Sequence, residues 1–394
     1  MKRDEVLLTI ASLLFAVGLY LAVRDPQLHA DEAIHYNQIL RFVNGNPEWE
    51  PHLTTFPTYH YLLSLPARIF PTAATIPYLR IFAFCLSGVA ILFFYRSAKW
   101  MDISMPVVRT LQFSFLPIIF PLLFLIYTDV FSLAFVILAI CLAINGRYAL
   151  AGIAGASAIL TRQNNAIWLV LCCVFIFERE QSIMLTLKKG WLFVLLLCAF
   201  GVFVVWNHGI ALGDVEKHPW GIHTGNIFFM LLLFFFLFLP MNIQSSGEIL
   251  NFVKRHKLSW ILIPALYAIY LLTFRATHPY NQAPYAFFLR NRLLLLMNSS
   301  VLWKSLFFIP MIYSVLTLIV TKLRRREYYW IYPASILSVL PSWLIEQRYY
   351  LIPFSLFLLM RDEATQTAET LQIVLYMPAA LFLLYGITSG QFFL

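Results

Sequence analysis

Apolar residues recur along the chain in about thirteen blocks, near residues 6–23, 76–95, 106–127, 130–144, 148–161, 165–177, 191–206, 227–241, 258–274, 302–320, 331–345, 351–360 and 373–390. Blocks of this kind predict helices that cross or enter a bilayer. Several fall short of the roughly 20 residues that a perpendicular span requires. The pairs 148–161 with 165–177 and 331–345 with 351–360 therefore predict tight hairpins or broken helices.

Polar segments alternate in character. Lys2 and Arg3 precede the first block, and every second return carries bases: Arg96 and Lys99, Arg147, Arg179 with Lys188 and Lys189, Lys254 with Arg255 and Lys257, Lys322 to Arg326, and Arg361. Basic loops stay on the cytoplasmic side. The opposite, outer face then receives residues 24–75, Tyr127-Thr128-Asp129, Arg162 to Asn165, residues 207–226, residues 275–301 and Glu346 to Tyr350. The first outer loop is the longest. Asp31 is placed to cap a helix in which Tyr36, Ile39, Leu40 and Val43 share a face, and Asn44-Gly45-Asn46-Pro47 stops it. A second amphipathic stretch follows Pro57, with Tyr61, Leu62 and Leu65 as its apolar side. Such helices lie along the membrane interface.

Composition sharpens the class. Only 12% of the 394 residues are charged and 61% are hydrophobic, too little charge to coat a water-exposed surface. The net charge of +9 reads as topogenic, because nucleic-acid binding needs bases clustered on an exposed face. Cys85, Cys141, Cys172, Cys173 and Cys198 all lie in apolar runs without a CxxC pairing, so they read as small core residues. Residues 6–23 read as an uncleaved first span. With no internal repeat and no linker, residues 1–394 read as one membrane domain: an all-α, polytopic bundle of about 11–14 spans.

The outer face gathers the groups capable of chemistry. Asp31 and Glu32 start the interfacial helix, where a carboxylate serves either as a helix cap or as a base that takes a proton from a sugar hydroxyl. Asp129 and Arg162 interrupt apolar sequence and either pair, line a cavity or reach the interface. Arg348 suits a phosphate through its bidentate fork, or pairs with Glu346. His208, His218, His223 and His278 fall near Asp214 at spacings that fit no common zinc motif, so no metal site is expected. Trp49, Tyr59, Trp220 and Tyr280 are interfacial anchors or sugar-stacking platforms. No Walker loop or GxGxxG is present, so nothing here would bind a soluble nucleotide; if the protein is a transferase its donor arrives within the membrane, and no cofactor is expected.

These residues carry a family resemblance. Asp31, Glu32 and His35 resemble an M-D-E-x-x-H block. Trp49, Pro51, Thr54, Thr55, Pro57 and Tyr59 resemble W-D-x-x-I-T-T-x-P-G-x-Y. Tyr127-Thr128-Asp129, Arg162-Gln163-Asn164-Asn165 with Trp168, Gly213-Asp214 with His218 and His223, His278-Pro279-Tyr280, and Glu346, Arg348, Tyr349 and Pro353 follow in order. The chain thus resembles the dolichyl-phosphate-glucose-dependent alpha-1,2-glucosyltransferases, multi-span enzymes of the GT-C class. It departs at Ala30 and Thr58, where that family has Met and Gly, and at Asn281 to Pro284 in place of a D-N-R-H block.

The resemblance implies inverting transfer of a hexose from a polyprenyl- or dolichyl-phosphate sugar to a lipid-linked oligosaccharide, in the endoplasmic reticulum membrane of a eukaryote or the cytoplasmic membrane of a prokaryote. Asp31 is the expected base, with Glu32 second. Arg348 and Arg162 are expected at the donor phosphate. His35, Trp49, Thr54, Thr55, Tyr59, Asp129, Gln163, Asn165, Asp214, His218, His223, His278, Tyr280, Glu346 and Tyr349 are expected around the substrates. The rival reading is a flippase or transporter of lipid-linked sugars, which would place its polar groups at the bilayer midplane.

Overall fold

The computed structural model describes residues 3–217, 219 and 221–394. His218 and Trp220 lie outside the described residues. The described chain is helical, and its only bridges are the isolated pairs Phe288 with Phe393 and Leu323 with Arg361. It divides into two compact units, residues 1–219 with 379–391 and residues 220–378 with 392–394.

The first unit contains α1 (Arg3–Arg24), α2 (Glu32–Val43), α3 (Thr58–Ile69), α4 (Ile76–Trp100), α5 (Pro106–Ser114), α6 (Thr128–Ile144), α7 (Tyr148–Thr161), α8 (Ala166–Glu180), α9 (Ile183–Lys189) and α10 (Trp191–Trp206). At its centre α6 packs on α4, α7 and α8 and is buried along nearly its whole length. Small residues on α7 permit close neighbours: a Cβ on Gly152 would come within 2.6 Å of Leu192, and one on Gly155 within 3.2 Å of Phe193. The two short helices expected after the first span are present, with the first ending at Asn44 and the second starting after Pro57. Ile39, Tyr59 and Leu63 join Leu79, Ala83, Ile126 and Phe131 in one core cluster. That cluster fastens α2 and α3 to α4. Tyr61, Leu62 and Leu65 face outward on the opposite side of α3, as an interfacial helix requires.

The second unit contains α11 (Gly225–Leu237), α12 (Leu239–Gln244), α13 (Ser246–Arg255), α14 (Ser259–Thr273), α15 (Leu289–Asn298), α16 (Val301–Val320), α17 (Ile331–Val339) and α18 (Leu351–Met360). α16 packs against α11 to α15. The last helix, α19 (Gln366–Thr388), is divided between the units.

Among the described residues four helices are long and apolar enough to cross a membrane: α1, α4, α16 and α19. The number rises to six if the bent pairs α9 with α10 (81°) and α13 with α14 (107°) each count as one span, and α6, α7 and α11 are shorter apolar helices. Apolar runs therefore outnumber full-length spanning helices. The run 106–127 shows why. Its helix stops at Ser114, and Phe115 to Tyr127 continue as buried turns and a 3₁₀ helix inside the unit. High hydropathy there reflects burial in protein. The two suspected breaks are real: Arg162 separates α7 from a 3₁₀ turn leading into α8, and residues 340–350 separate α17 from α18.

Candidate functional site

In the first unit the acidic motif is organised by a residue that sequence reasoning passed over. Arg80 projects from α4 and is fully buried. Its Nε donates to Glu32 Oε1 at 2.9 Å and its Nη2 to Glu32 Oε2 at 2.7 Å. The remaining donors reach the carbonyls of Ala22 at 2.7 Å, Asp25 at 2.8 Å and Gln27 at 2.5 Å. Glu32 also accepts the backbone N–H groups of His29 at 3.0 Å and Ile126 at 2.9 Å. Both of its oxygens thus hold two donors apiece, and the residue is 0% exposed. Expected as a second base, Glu32 is instead the anchor of this corner, with no open lone pair for a substrate proton. The signal was available: an Arg inside an apolar run is rare unless it faces a partner.

Asp31 differs from its neighbour. It occupies the N-cap position of α2 in a helical conformation, φ −69°, and its side chain makes no capping hydrogen bond. The expectation that it caps is therefore corrected. Ala30 before it is left-handed, φ 50°, which turns the chain between the end of α1 and α2.

His35, one turn further along α2, hydrogen-bonds through Nδ1 to Nε2 of His60 on α3 at 2.8 Å, with both rings buried. Burial first, and then the neighbouring His35, hold His60 well below the usual imidazole range, against a smaller opposing effect of the Pro57 carbonyl. Tyr59, fully buried beside this pair, is pushed up by burial and by the charges of Glu32 and Asp129. The hydroxyls of Thr55 and Tyr59 and the Oε1 of Gln163 are buried without hydrogen-bond partners among the described residues.

Asp129 and Arg162 pair with each other, Nη1 to Oδ1 at 2.7 Å, and Arg162 also donates to Thr128 Oγ1 at 3.1 Å. Gln163 Nε2 staples two loops by donating to the carbonyls of Thr54 at 2.7 Å and Ile210 at 2.8 Å. Asn165, expected near substrate, is buried and tied to Ser132 Oγ at 2.5 Å and to the Ala158 carbonyl at 2.9 Å. Its amide fastens α8 to α6 and α7. Gly213 lies so close to the first loop that a Cβ would come within 2.3 Å of the Pro51 carbonyl. Its N–H bonds the Leu53 carbonyl at 2.8 Å. Asp214 follows in a left-handed conformation, φ 49°, and contacts His52 at 3.1 Å and Lys217 at 2.9 Å. Burial raises its pKa, and Lys217 and His52 outweigh that, so the carboxyl sits below its usual range. Trp49 is half exposed.

In the second unit a second charged cluster sits in the break before α18. Glu346 is 1% exposed and lies between two guanidinium groups, Arg290 Nη2 at 3.0 Å from Oε2 and Arg348 Nε at 3.3 Å from Oε1. The local Glu346–Arg348 pair exists because extended backbone at Glu346 leads into a 3₁₀ turn, Gln347–Tyr350. Two cations share the one carboxylate of Glu346. Arg290 was not singled out in the sequence; it also donates to the Leu394 carbonyl and lies 4.0 Å over the Phe288 ring.

Asparagines fix the loop that carries Glu346. Asn226 donates to the carbonyls of Ser342 and Leu344, both at 2.9 Å, and its Oδ1 accepts from the Glu346 N–H and the Tyr350 hydroxyl. Asn281 exchanges both bonds with the Ile345 backbone. Polar loop residues give no advance signal of such latches. His278 is buried against Trp343, ring centroids 4.7 Å apart, and its Nδ1 accepts from the Tyr280 N–H. His223 stacks near Trp343 with ring centroids 6.4 Å apart, and burial lowers its pKa. Tyr349 is partly exposed beside Arg348 in the chain.

The chain was compared with known proteins. The model of the DIE2/ALG10 family matches residues 25–184 and 178–359. Curated relatives named Dol-P-Glc:Glc(2)Man(9)GlcNAc(2)-PP-Dol alpha-1,2-glucosyltransferase include a protein of Arabidopsis thaliana, 25% identical over 85% of this chain and 86% of the relative. Another is from Drosophila melanogaster, 23% identical over 90% and 88%, and one is from Homo sapiens, 22% identical over 85% and 84%. No solved structure matches. The family match extends from the turn that follows α1 through nearly all of α18, and this chain belongs to the DIE2/ALG10 family.

Proposed function

We propose that this membrane protein transfers glucose from a dolichyl- or polyprenyl-phosphate donor to a lipid-linked oligosaccharide, forming an alpha-1,2 linkage. The names of its relatives supply the donor and acceptor classes. The observation that carries the reading is the division of labour between adjacent carboxylates. Glu32 is locked by Arg80, and Asp31, held beside it at the head of α2, is not used to cap the helix.

An attacking hydroxyl gives its proton to Asp31 as its oxygen bonds to the anomeric carbon. The bond from that carbon to the phosphate oxygen breaks, and the electron pair leaves on the phosphate. One displacement inverts the anomeric centre. A base supplies typically two to four orders of magnitude of rate. The departing phosphate needs fixed positive charge, and we assign that role to Arg348, with Arg290 beside it on Glu346. Arg162, paired with Asp129, is assigned to supporting the first unit's loops. His35, Asp214 and His278 position sugar hydroxyls, on the lumenal or outer face of the membrane.

The test is direct. Purified protein in detergent receives labelled dolichyl-phosphate glucose and a lipid-linked acceptor carrying two glucoses. Appearance of a third, alpha-1,2-linked glucose is expected. Movement of donor across vesicles without any transfer would establish the flippase reading and end this one.

A further inference from the structure

The turn that carries Asp31 holds a second acid–base pair, just before the first of the motif blocks that begin at Asp31. Asp25 directly follows α1 and is 8% exposed. Its Oδ1 accepts from the Gln27 N–H at 3.0 Å. Its Oδ2 lies 3.5 Å from Arg80 Nη1 and is hydrogen-bonded to Nε2 of His29. A carboxylate partner makes Nε2 the donor in the neutral ring, which leaves the lone pair on Nδ1. Nδ1 has no hydrogen-bond partner among the described residues, and the imidazole keeps 11% of its surface open.

The backbone fixes His29 in the same tight turn as Asp31. The His29 carbonyl accepts from the Glu32 N–H at 3.0 Å, and the His29 N–H donates to Glu32 Oε2 at 3.0 Å. Tyr127 Oη adds a bond to the same carbonyl at 2.9 Å. The four-residue turn from His29 to Glu32 is thus closed from both ends, with left-handed Ala30 inside it. The α-carbons of His29 and Asp31 are two residues apart, so at most about 7 Å separates them. The charged and titratable groups around His29 are Asp25, Arg80, Glu32, Asp31 and Tyr127.

We propose that His29, oriented by Asp25, accepts the proton that Asp31 collects from the attacking hydroxyl. The inference rests on Asp31 being the base. The proton moves from the protonated Asp31 carboxyl to His29 Nδ1, while Nε2–H stays bonded to Asp25. Asp31 returns to its carboxylate form, and the imidazolium releases the proton to water. No bond to carbon is involved, and His29 acts only through Asp31. Arg80 links the parts, because the same guanidinium fixes Asp25 and Glu32.

The experiment measures transfer by the full-length protein across pH about 5 to 9, where imidazole chemistry operates, for wild type, His29→Gln, His29→Ala and Asp31→Asn, with melting temperatures in detergent. Turnover in His29→Gln should fall about ten- to a hundredfold, the lower part of the range for acid–base groups. The donor KM should stay unchanged, and the pH profile should differ in shape from that of the wild type. Free imidazole should restore part of the turnover of His29→Ala. A wild-type pH profile in His29→Gln, or a loss that tracks melting temperature and ignores imidazole, overturns the relay. If Asp31→Asn is inactive while His29→Gln is normal, the relay alone fails. If Asp31→Asn turns over normally, the Asp31 reading fails and the relay with it.

Discussion

Arg80 and Glu32 form a bidentate ion pair, at 2.9 and 2.7 Å, in which neither side chain has any exposed surface. The pair ties α4 to the start of α2 and sets the direction in which the chain leaves α1. Breaking one side of such a pair costs about 3–5 kcal/mol, because the other charge is left buried. Arg80→Met and Glu32→Gln should each lower the melting temperature sharply, and turnover should fall with folded yield. The double variant Arg80→Met with Glu32→Gln should recover part of the loss. Equal destabilisation in the double variant and the summed singles would mean that the two residues act independently.

Much of this corner was legible in advance. The motif order located Asp31 and Glu32, and helical spacing of Tyr36, Ile39, Leu40 and Val43 located α2. The partner of Glu32 was not located, because Arg80 is 48 positions away and long-range pairing leaves no local pattern. The same holds for Arg290, which meets Glu346 across 56 positions. Span counting was legible only as hydropathy. Residues 115–127 are as apolar as a lipid-facing helix, yet they are buried in irregular backbone. Hydropathy reports exclusion from water and does not distinguish lipid from protein as the medium.

Asp31→Asn discriminates chemistry from architecture. Asn serves an N-cap position as well as Asp, and Asp31 makes no capping bond to lose. The melting temperature should therefore change by little. Turnover should drop by about two to four orders of magnitude, with the donor KM nearly constant, if the carboxylate takes the hydroxyl proton. Single-turnover transfer with saturating donor is the measurement. Turnover within about twofold of wild type would remove Asp31 from the reaction.

Gly213 and Asp214 make two linked predictions about the loop facing residues 51–54. Gly213→Ala places a methyl 2.3 Å from one carbonyl oxygen and 2.9 Å from another, and both are backbone atoms that cannot rotate away. The loop must move, at a cost of about 1–3 kcal/mol. For Asp214 the folded pKa lies below the ordinary value of 3.8. The stabilisation it contributes is complete above the unfolded pKa and disappears as pH falls through the folded one. The melting-temperature gap between wild type and Asp214→Asn should thus be constant at neutral pH and close on acidification below about pH 4. A gap that widens under acid would reverse the assigned sign.

Arg348 is the last test, and its outcome depends on Arg290. Removing one member of a two-residue buried pair would strand Glu346. Here Arg290 still holds Glu346 Oε2 at 3.0 Å after Arg348 is gone. Arg348→Ala should therefore cost well below the roughly 3–5 kcal/mol of an uncompensated buried carboxylate. Glu346→Ala should be the more damaging change, since it leaves two guanidinium groups facing each other without their shared anion. Arg348 is also the more open of the two bases, 15% exposed against 4% for Arg290, so it is the one able to meet a lipid phosphate. Arg348→Lys keeps the charge and loses the fork, and donor affinity should fall while the melting temperature holds. Dolichyl-phosphate glucose should raise the melting temperature of wild type, raise that of Arg348→Lys less, and leave Arg348→Ala nearly unmoved. In Glu346→Ala the same donor should produce the largest rise of the series, because its phosphate replaces the missing anion between Arg290 and Arg348. A donor-induced rise in Arg348→Ala equal to that of wild type would place the phosphate elsewhere.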